Sequence, residues 1–226
     1  MAFGVDTTSH GPAAVDVQTK TWAHTCGASA NKLVVFPGAG SSTLGDRTVS
    51  TVTYNGVGCV SMGTAADDGT FMRSSAYRMN NPPTGSALNI VVTYGGSVGV
   101  QSAAGAISFI DAAATDGALA TNTGSTANPS VTVPDSVSGD IVASLLSTDE
   151  STTATTENGT LIWEDENVNS DTSYNCQRQV ASGASTVCSW STTSTGQKWA
   201  AVGVAIKPLA VASVPPQLGK SIYVMP

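Results

Sequence analysis

The chain has 226 residues, with 9 Lys and Arg against 16 Asp and Glu, which gives a formal net charge of −7. Hydrophobic residues make up 41% of the chain and charged residues only 11%, which indicates a globular protein built largely from small side chains. The acidic balance lacks the basic surface that nucleic acids and anionic membranes attract, and the composition excludes a coiled coil, a collagen helix and a disordered chain.

The start of the chain lacks the features of a targeting signal. Residues 1–17 contain neither a basic stretch nor an apolar stretch of the kind found in secretory signals. No apolar run approaches the ~18 residues needed to cross a bilayer. We therefore expect a protein with no membrane partner that is synthesised in a cytoplasm.

The firmest local prediction is a β-hairpin around Asn55-Gly56. This dipeptide favours a type I′ turn, in which both central residues have positive φ. Pairing around the turn sets Tyr54 opposite Val57 and Val52 opposite Cys59, so that apolar side chains share one face.

Further strands are predicted wherever apolar and polar residues alternate between turn residues. No segment carries the apolar stripe of an amphipathic helix. Many short strands at this spacing predict an all-β fold, an antiparallel β-sandwich. The predicted strands are 33–36, 70–78, 88–94, 105–110, 130–133, 141–146, 160–163, 173–180, 185–190 and 199–206.

Three regions are predicted from the distribution of these strands. Residues 1–13 are polar and irregular, which predicts an N-terminal arm. Residues 14–208 carry the strands and form one β-sandwich domain, because neither a linker nor a fixed-period repeat divides them. Residues 209–226 contain prolines that exclude a central strand, which predicts an extended C-terminal tail. Residues 112–128 and 147–157 are predicted to be loops rich in small and polar residues.

The four cysteines, Cys26, Cys59, Cys176 and Cys188, form no C-x-x-C pair, and two histidines are too few to complete a zinc site. In a symmetric hairpin centred on residue 182, Cys176 and Cys188 would lie opposite each other. A disulfide is compatible with that geometry, and two buried thiols are the alternative that a cytoplasm favours.

No catalytic constellation is evident, so the chain is predicted not to be an enzyme. Only His10 and His24 could act as a base; His10 lies in the predicted arm, and His24 is expected to bond a backbone carbonyl in a sheet. Acidic residues cluster at 149–150, 157, 164–166 and 171, but their spacing matches no calcium loop. We therefore predict no metal and no cofactor.

Aromatic side chains could offer a different function, because stacked rings bind sugars. Trp163, Tyr174, Trp190 and Trp199 are the candidates for such a platform. Aromatic residues in half-buried strands more often belong to the core.

Several segments, in this order, resemble a known group of domains: WAHTCGASANKLVVFPG, VSTVTYNGVGCV, YRMNNPPTGSALNIVVTY, AGAISFID, PSVTVPDSVSGDIVASLL and WAAVGVAIKP. The resemblance covers residues 20–208 and is to a jelly-roll-like β-sandwich domain of tailed-phage virion proteins and secreted bacterial surface proteins. Asn31-Lys32-Leu33 departs from the more usual Asn-Arg-Leu. The group has no catalytic motif, so no active residues carry over.

The resemblance implies a structural or binding role. A chain without a secretory signal fits a head decoration, or cement, protein on the capsid exterior of a phage virion, with the major capsid protein as partner. The alternative is a carbohydrate-binding or host-adhesion module on the capsid or a tail fibre, with surface glycans as partners.

Self-association is expected as well, because a weakly charged surface has little to hold copies apart. Closed symmetry is usual for such subunits, and a trimer suits the three-fold positions of a capsid lattice. In the tail, Ile222, Tyr223, Val224 and Met225 form an apolar tip that is predicted to dock on a neighbouring subunit, the alternative being its own sandwich.

Overall fold

The computed structural model describes residues 2–96, 100–149, 154–168, 172–193 and 196–210. These residues form β-strands and one four-residue helix, so the prediction of an all-β fold is confirmed. The elements are β1 Gly4–Val15, β2 Thr19–Thr25, β3 Ala30–Gly40, α1 Leu44–Arg47, β4 Val49–Tyr54, β5 Val57–Gly58, β6 Val60–Ser61, β7 Ala66–Asp67, β8 Met72–Ser74, β9 Tyr77–Asn80, β10 Ala87–Tyr94, β11 Gln101–Ile110, β12 Ala120–Gly124, β13 Ser130–Pro134, β14 Ile141–Thr148, β15 Thr155–Thr156, β16 Thr160–Val168, β17 Thr172–Val180, β18 Ser185–Ser191 and β19 Trp199–Ile206.

The strands form four antiparallel sheets. The first sheet has the order β2-β10-β4-β5, and the second has the order β1-β11-β3-β8-β7, with β9 also pairing with β3 and β6 pairing with β9. The third sheet has the order β12-β19-β14-β17-β16, and the fourth has the order β13-β18-β15.

Three hydrophobic cores lie between successive sheets, so the four sheets stack as layers. The first core joins the first and second sheets, the central core joins the second and third, and the last core joins the third and fourth. Along β3, Val34 and Phe36 enter the central core while Leu33 and Val35 enter the first core, because successive side chains of a strand point to opposite faces. The same alternation buries β14 and β19 on both faces.

The two halves of the chain repeat one strand order. The neighbours β1-β11-β3-β9-β6 of the second sheet correspond to β12-β19-β14-β17-β16 of the third, and β2-β10-β4 correspond to β13-β18-β15. We call strands β1–β11 the first sandwich and strands β12–β19 the second sandwich. The structure therefore differs from the predicted single sandwich over 14–208: two sandwiches share the central core.

The predicted irregular N-terminal arm over 1–13 is wrong, since Gly4–Val15 is a strand that pairs along its length with β11. The strand was not predicted because it lacks alternating apolar residues. Polar side chains such as Thr7 and Ser9 form hydrogen bonds instead. The chain bulges between Val5 and Thr8, where the strand passes the edge of the third sheet.

The predicted hairpin is confirmed. Asn55 and Gly56 have φ of 52° and 75°, Tyr54 pairs with Val57, and the Cys59 amide donates to the Val52 carbonyl at 2.8 Å. The two predicted loops are only partly correct, because 112–128 contains β12 and 147–157 contains β15. The predicted C-terminal tail lies mostly outside the described residues, as do Ile222, Tyr223, Val224 and Met225.

Glycine allows the two central sheets to approach closely. A Cβ on Gly38 would lie 2.6 Å from the Tyr174 ring, and a Cβ on Gly105 would lie 2.0 Å from the Trp163 indole nitrogen. The Tyr174 hydroxyl crosses the layer and donates to the Gln101 carbonyl at 2.6 Å. Close packing of aromatic rings against glycines and one hydrogen bond therefore join the two sandwiches, in addition to the burial of apolar side chains.

Candidate functional site

The most distinctive surface feature is the outer edge of β16, the last strand of the third sheet. On one side β16 pairs with β17; on the other side no strand of the described residues pairs with it. Two grooves flank this edge and share Leu161, a residue that is 43% exposed. Together, the edge and its grooves are called the β16 edge site.

The first groove, of about 350 Å³, lies between β16 and β1 of the second sheet. The bulge in β1 helps to form it, since Val5–Thr8 make up one wall. Its far wall is formed by β16 and β17. The lining residues are Val5, Asp6, Thr7, Thr8, Thr160, Leu161, Ile162 and Arg178.

The second groove, of about 310 Å³, lies between β16 and β15 of the fourth sheet. Asn175 organises its floor: its side-chain oxygen accepts from the Trp190 indole at 2.8 Å, and its side-chain nitrogen donates to the Ala154 carbonyl at 2.8 Å. Nearby, the Asn158 side chain bonds the Val187 carbonyl and the Ser189 amide. These bonds tie the floor of the groove and the turn before β16 to β18 of the fourth sheet.

Acidic residues give the β16 edge site its charge, because Glu164, Asp165 and Glu166 follow one another along the strand. Partial burial, with the neighbouring charge of Glu166, raises the pKa of Glu164. Burial likewise raises the pKa of Asp165, although His10 and Lys20 oppose that effect. This part of the edge therefore favours a cationic partner.

Beside the site, His10 stacks on Trp163 with ring centroids 5.9 Å apart, and its Nε2 lies 4.0 Å from Asp165. Lys20 is buried and donates to the Pro12 carbonyl, and burial lowers its pKa to about 8. His10 therefore lies in strand β1 beside Trp163 and Asp165, and not in the predicted irregular arm.

The other histidine belongs to a buried network in the first sandwich. His24 bonds the Ser9 hydroxyl at 2.8 Å and approaches the Thr7 hydroxyl at 3.4 Å, so the expected bond to a backbone carbonyl is not what the structure shows. Thr7 in turn bonds Ser108, which donates to Asp6 at 2.8 Å. Burial lowers the pKa of His24 to about 4, which keeps the ring neutral.

The cysteines are all free thiols. Cys176 and Cys188 do not face each other in a hairpin, because β17 belongs to the third sheet and β18 to the fourth. The segment between them crosses from one sheet to the other. The predicted hairpin, on which the disulfide depended, is therefore wrong, and both cysteines are buried thiols.

The candidate sugar platform is buried. Trp163, Tyr174, Trp190 and Trp199 are at most 4% exposed and belong to the central and last cores. The interpretation as core residues is confirmed. The acidic residues 150 and 171 lie outside the described residues.

The described ranges contain no cluster of three or more His, Cys, Asp or Glu side chains suited to a metal ion. They also contain no helix of the length and hydropathy needed to cross a membrane.

Sequence reasoning missed the β16 edge site, although its strand and acidic residues were both identified. The missing signal was the two-residue strand β15, which is too short to show alternation. The position of β1 beside β16 also depends on packing between the sandwiches, which no local pattern reports.

A scan against protein-family models, a search of curated proteins and a search of solved structures each found no match to this chain.

Proposed function

We propose that the protein is a structural virion protein of a tailed phage that decorates and cements the exterior of the capsid. The major capsid protein would be its main partner, and copies of the chain would associate as a homotrimer. The proposal rests first on a resemblance: several segments between residues 20 and 208 occur in the same order as in phage virion domains.

The observation that carries the proposal is the repeated strand order. In each sandwich the first and last strands are neighbours in one sheet, as in β1-β11, and the second and penultimate strands are neighbours in the other, as in β2-β10. This is the order expected of a jelly roll, an architecture that recurs in viral capsid and lectin domains. Two such sandwiches share the central core.

The site chemistry is consistent with a structural role. The neutral His24 of β2 bonds the Ser9 hydroxyl of β1, across the first and second sheets. The aromatic rings that a sugar platform would need are buried. We therefore favour cementing over the alternative of a carbohydrate-binding or host-adhesion module, and we propose that the chain has no hydrolase activity. Turnover of ester, peptide or glycoside substrates that is lost on mutating His24 would contradict the last point.

The test of the function is the stoichiometry of the chain in purified particles. A copy number that tracks the three-fold or quasi-three-fold positions of the capsid, with particles that break at lower temperature without the protein, would support cementing. A few copies per particle, together with saturable binding to a glycan array, would favour the adhesion module instead.

The tail gives a second measurement. Deletion of residues 213–226 is expected to leave the melting transition of the core in place while lowering occupancy on particles. Loss of the core transition, or full occupancy without the tail, would contradict the assigned role of the tail.

A further inference from the structure

We infer that the β16 edge site binds the C-terminal segment 221–225 of a second copy of this chain as an added β-strand. This inference deepens the proposed function by naming the acceptor of the tail, and it rests only on the association of copies, not on attachment to a capsid. Four features of the molecule support it.

The first feature is the edge itself. A strand with unpaired backbone groups is a template for another strand, and proteins usually protect such edges. The edge of β16 is nine residues long and has no strand partner among the described residues. Strand addition at such an edge obtains affinity from main-chain hydrogen bonds and specificity from pockets for alternate side chains.

The second feature is the pair of grooves. A strand added beside β16 extends the third sheet, and its successive side chains point to opposite faces of that sheet. One face opens into the groove next to β1 and the other into the groove next to β15. Ile222 and Val224 would enter one groove, and Tyr223 would enter the other. These residue types favour strands.

The third feature is charge. Residues 207–226 contain Lys207 and Lys220 but no Asp or Glu, in a chain whose net charge is −7. Lys220 directly precedes the segment, and the acceptor edge carries Glu164 and Glu166. The attraction between them orients the segment on the edge and weakens with salt.

The fourth feature is the place where the chain leaves the structure. Ile206 pairs with Ile141, which pairs with Val180, so β19 ends at the end of the third sheet where Thr160 begins β16. Residues 207–210 continue from there along Asp111 and Ala112. From there, residues 211–226 reach roughly 50 Å when extended, while β19 and β16 are separated by about 14 Å, three inter-strand spacings.

The direction of β16 favours a second copy as the source. A segment that takes the shortest path from its own chain enters at that end and runs the same way as β16, which makes a parallel pair in a sheet whose other pairs are antiparallel. Parallel pairs are slightly less stable. A segment from a second copy can run antiparallel. Each tail then binds the next subunit, a head-to-tail contact that forms a ring when the rotation between subunits closes.

The experiment measures association in solution by sedimentation velocity at micromolar concentration. The full chain is expected to sediment as a closed oligomer, and Glu166→Lys or Lys220→Glu is expected to weaken association at least tenfold. The pair Glu166→Lys with Lys220→Glu is expected to recover most of the affinity. Thr121→Lys with Thr123→Lys, on β12 at the opposite edge of the same sheet, changes the net charge as much as Glu166→Lys does and is expected to have little effect.

A mixing arm identifies the source of the segment. The deletion of residues 213–226 keeps the acceptor edge, and Glu166→Lys keeps the tail. If tails bind neighbouring copies, the two variants form mixed complexes together although each associates weakly alone. Absence of mixed complexes, with a lowered melting temperature of the Glu166→Lys monomer, would show docking on the same chain and overturn the inference, as would a full chain that is monomeric. Because no capsid is present, this result is independent of occupancy on particles.

Discussion

The two sandwiches share a strand order but bury different polar chemistry. Among the described residues, every buried basic side chain lies in the first sandwich: Lys20, His24, Lys32 and Arg47. In the second sandwich the buried polar groups are hydroxyls and amides such as Asn175 and Gln177, with Asp140 as the ionisable exception. The same arrangement of strands is therefore compatible with ionic or neutral satisfaction of buried groups, and sensitivity to charge and pH should concentrate in the first sandwich.

Lys32 gives the strongest way to break this comparison. Its ammonium group bonds Asp116 of the connection between the sandwiches, and neither side chain is exposed. Arg78 bonds the same carboxylate at 2.7 Å, and burial lowers the pKa of Lys32.

We expect Asp116→Ala to lower the free energy of unfolding by roughly 3–5 kcal/mol, because an isolated buried charge is left behind. Chemical denaturation measures this loss. Lys32→Met with Asp116→Leu should recover most of it, and Glu157→Ala, at an exposed position, should change stability by less than about 0.5 kcal/mol. A loss below about 1 kcal/mol for Asp116→Ala would show that the pair is not structurally important.

The pH dependence of stability sharpens the comparison. The pKa of His24 is about 4 in the folded protein against an ordinary 6.5, so the unfolded chain binds the proton first. The stability associated with the neutral ring is present above pH 6.5 and is lost as the pH falls toward 4, by roughly 2–3 kcal/mol.

Unfolding free energies of the wild type and of His24→Gln, measured from pH 7 to pH 4, check this expectation. The variant cannot titrate at this position, so its stability should fall less steeply over that window. Parallel curves for the two proteins would contradict the lowered pKa.

The central core offers a test that concerns both sandwiches together. A Cβ on Gly38 would lie 2.6 Å from the rigid Tyr174 ring and 2.7 Å from the Ser147 hydroxyl. Gly38→Ala should therefore cost about 1–3 kcal/mol through overpacking. The matched control is Gly58→Ala, also in a strand, where a Cβ meets nothing within 4 Å. Equal melting temperatures for the two variants would contradict the close approach of the sheets.

The strands of the fold could be predicted from alternation, but the four layers could not. The strand at 88–94 was predicted correctly because β10 has one face in the core and one in solvent. In contrast, β11 and β19 are buried on both faces, and their runs of Ala, Gly and Val indicate a strand without indicating a second sandwich. Stacking depends on which faces meet, and this is information between elements rather than within them.

The candidate site was predictable only in part, for the same physical reason. The strand at 160–163 and the acidic residues 164–166 could be identified from the sequence. The hairpin proposed around residue 182 assumed that consecutive strands pair, whereas the chain there crosses from the third sheet to the fourth. The grooves beside β16 are walled by β1, which comes from a distant part of the chain, and by β15, which directly precedes β16 but belongs to another sheet.

The cysteines give the smallest expected effect and compare the sandwiches directly. Cys176 and Cys188 of the second sandwich are fully buried, and burial raises the pKa of both thiols. Cys59 of the first sandwich is half-buried beside the hairpin, and burial raises its pKa to about 12. Thiolate is the reactive form, so the native protein should react slowly at all three positions.

Intact-mass spectrometry with and without reductant checks the state of the thiols, and timed alkylation of the native protein checks their exposure. We expect no change of mass on reduction and slower alkylation at Cys176 and Cys188 than at Cys59, because a reagent must open the core to reach the first two. Unfolding in denaturant should make all the cysteines react at similar rates, which controls for differences in the reagent. A gain of about 2 Da on reduction, the mass of two protons and two electrons added to one disulfide, would contradict the separation of Cys176 and Cys188 between two sheets.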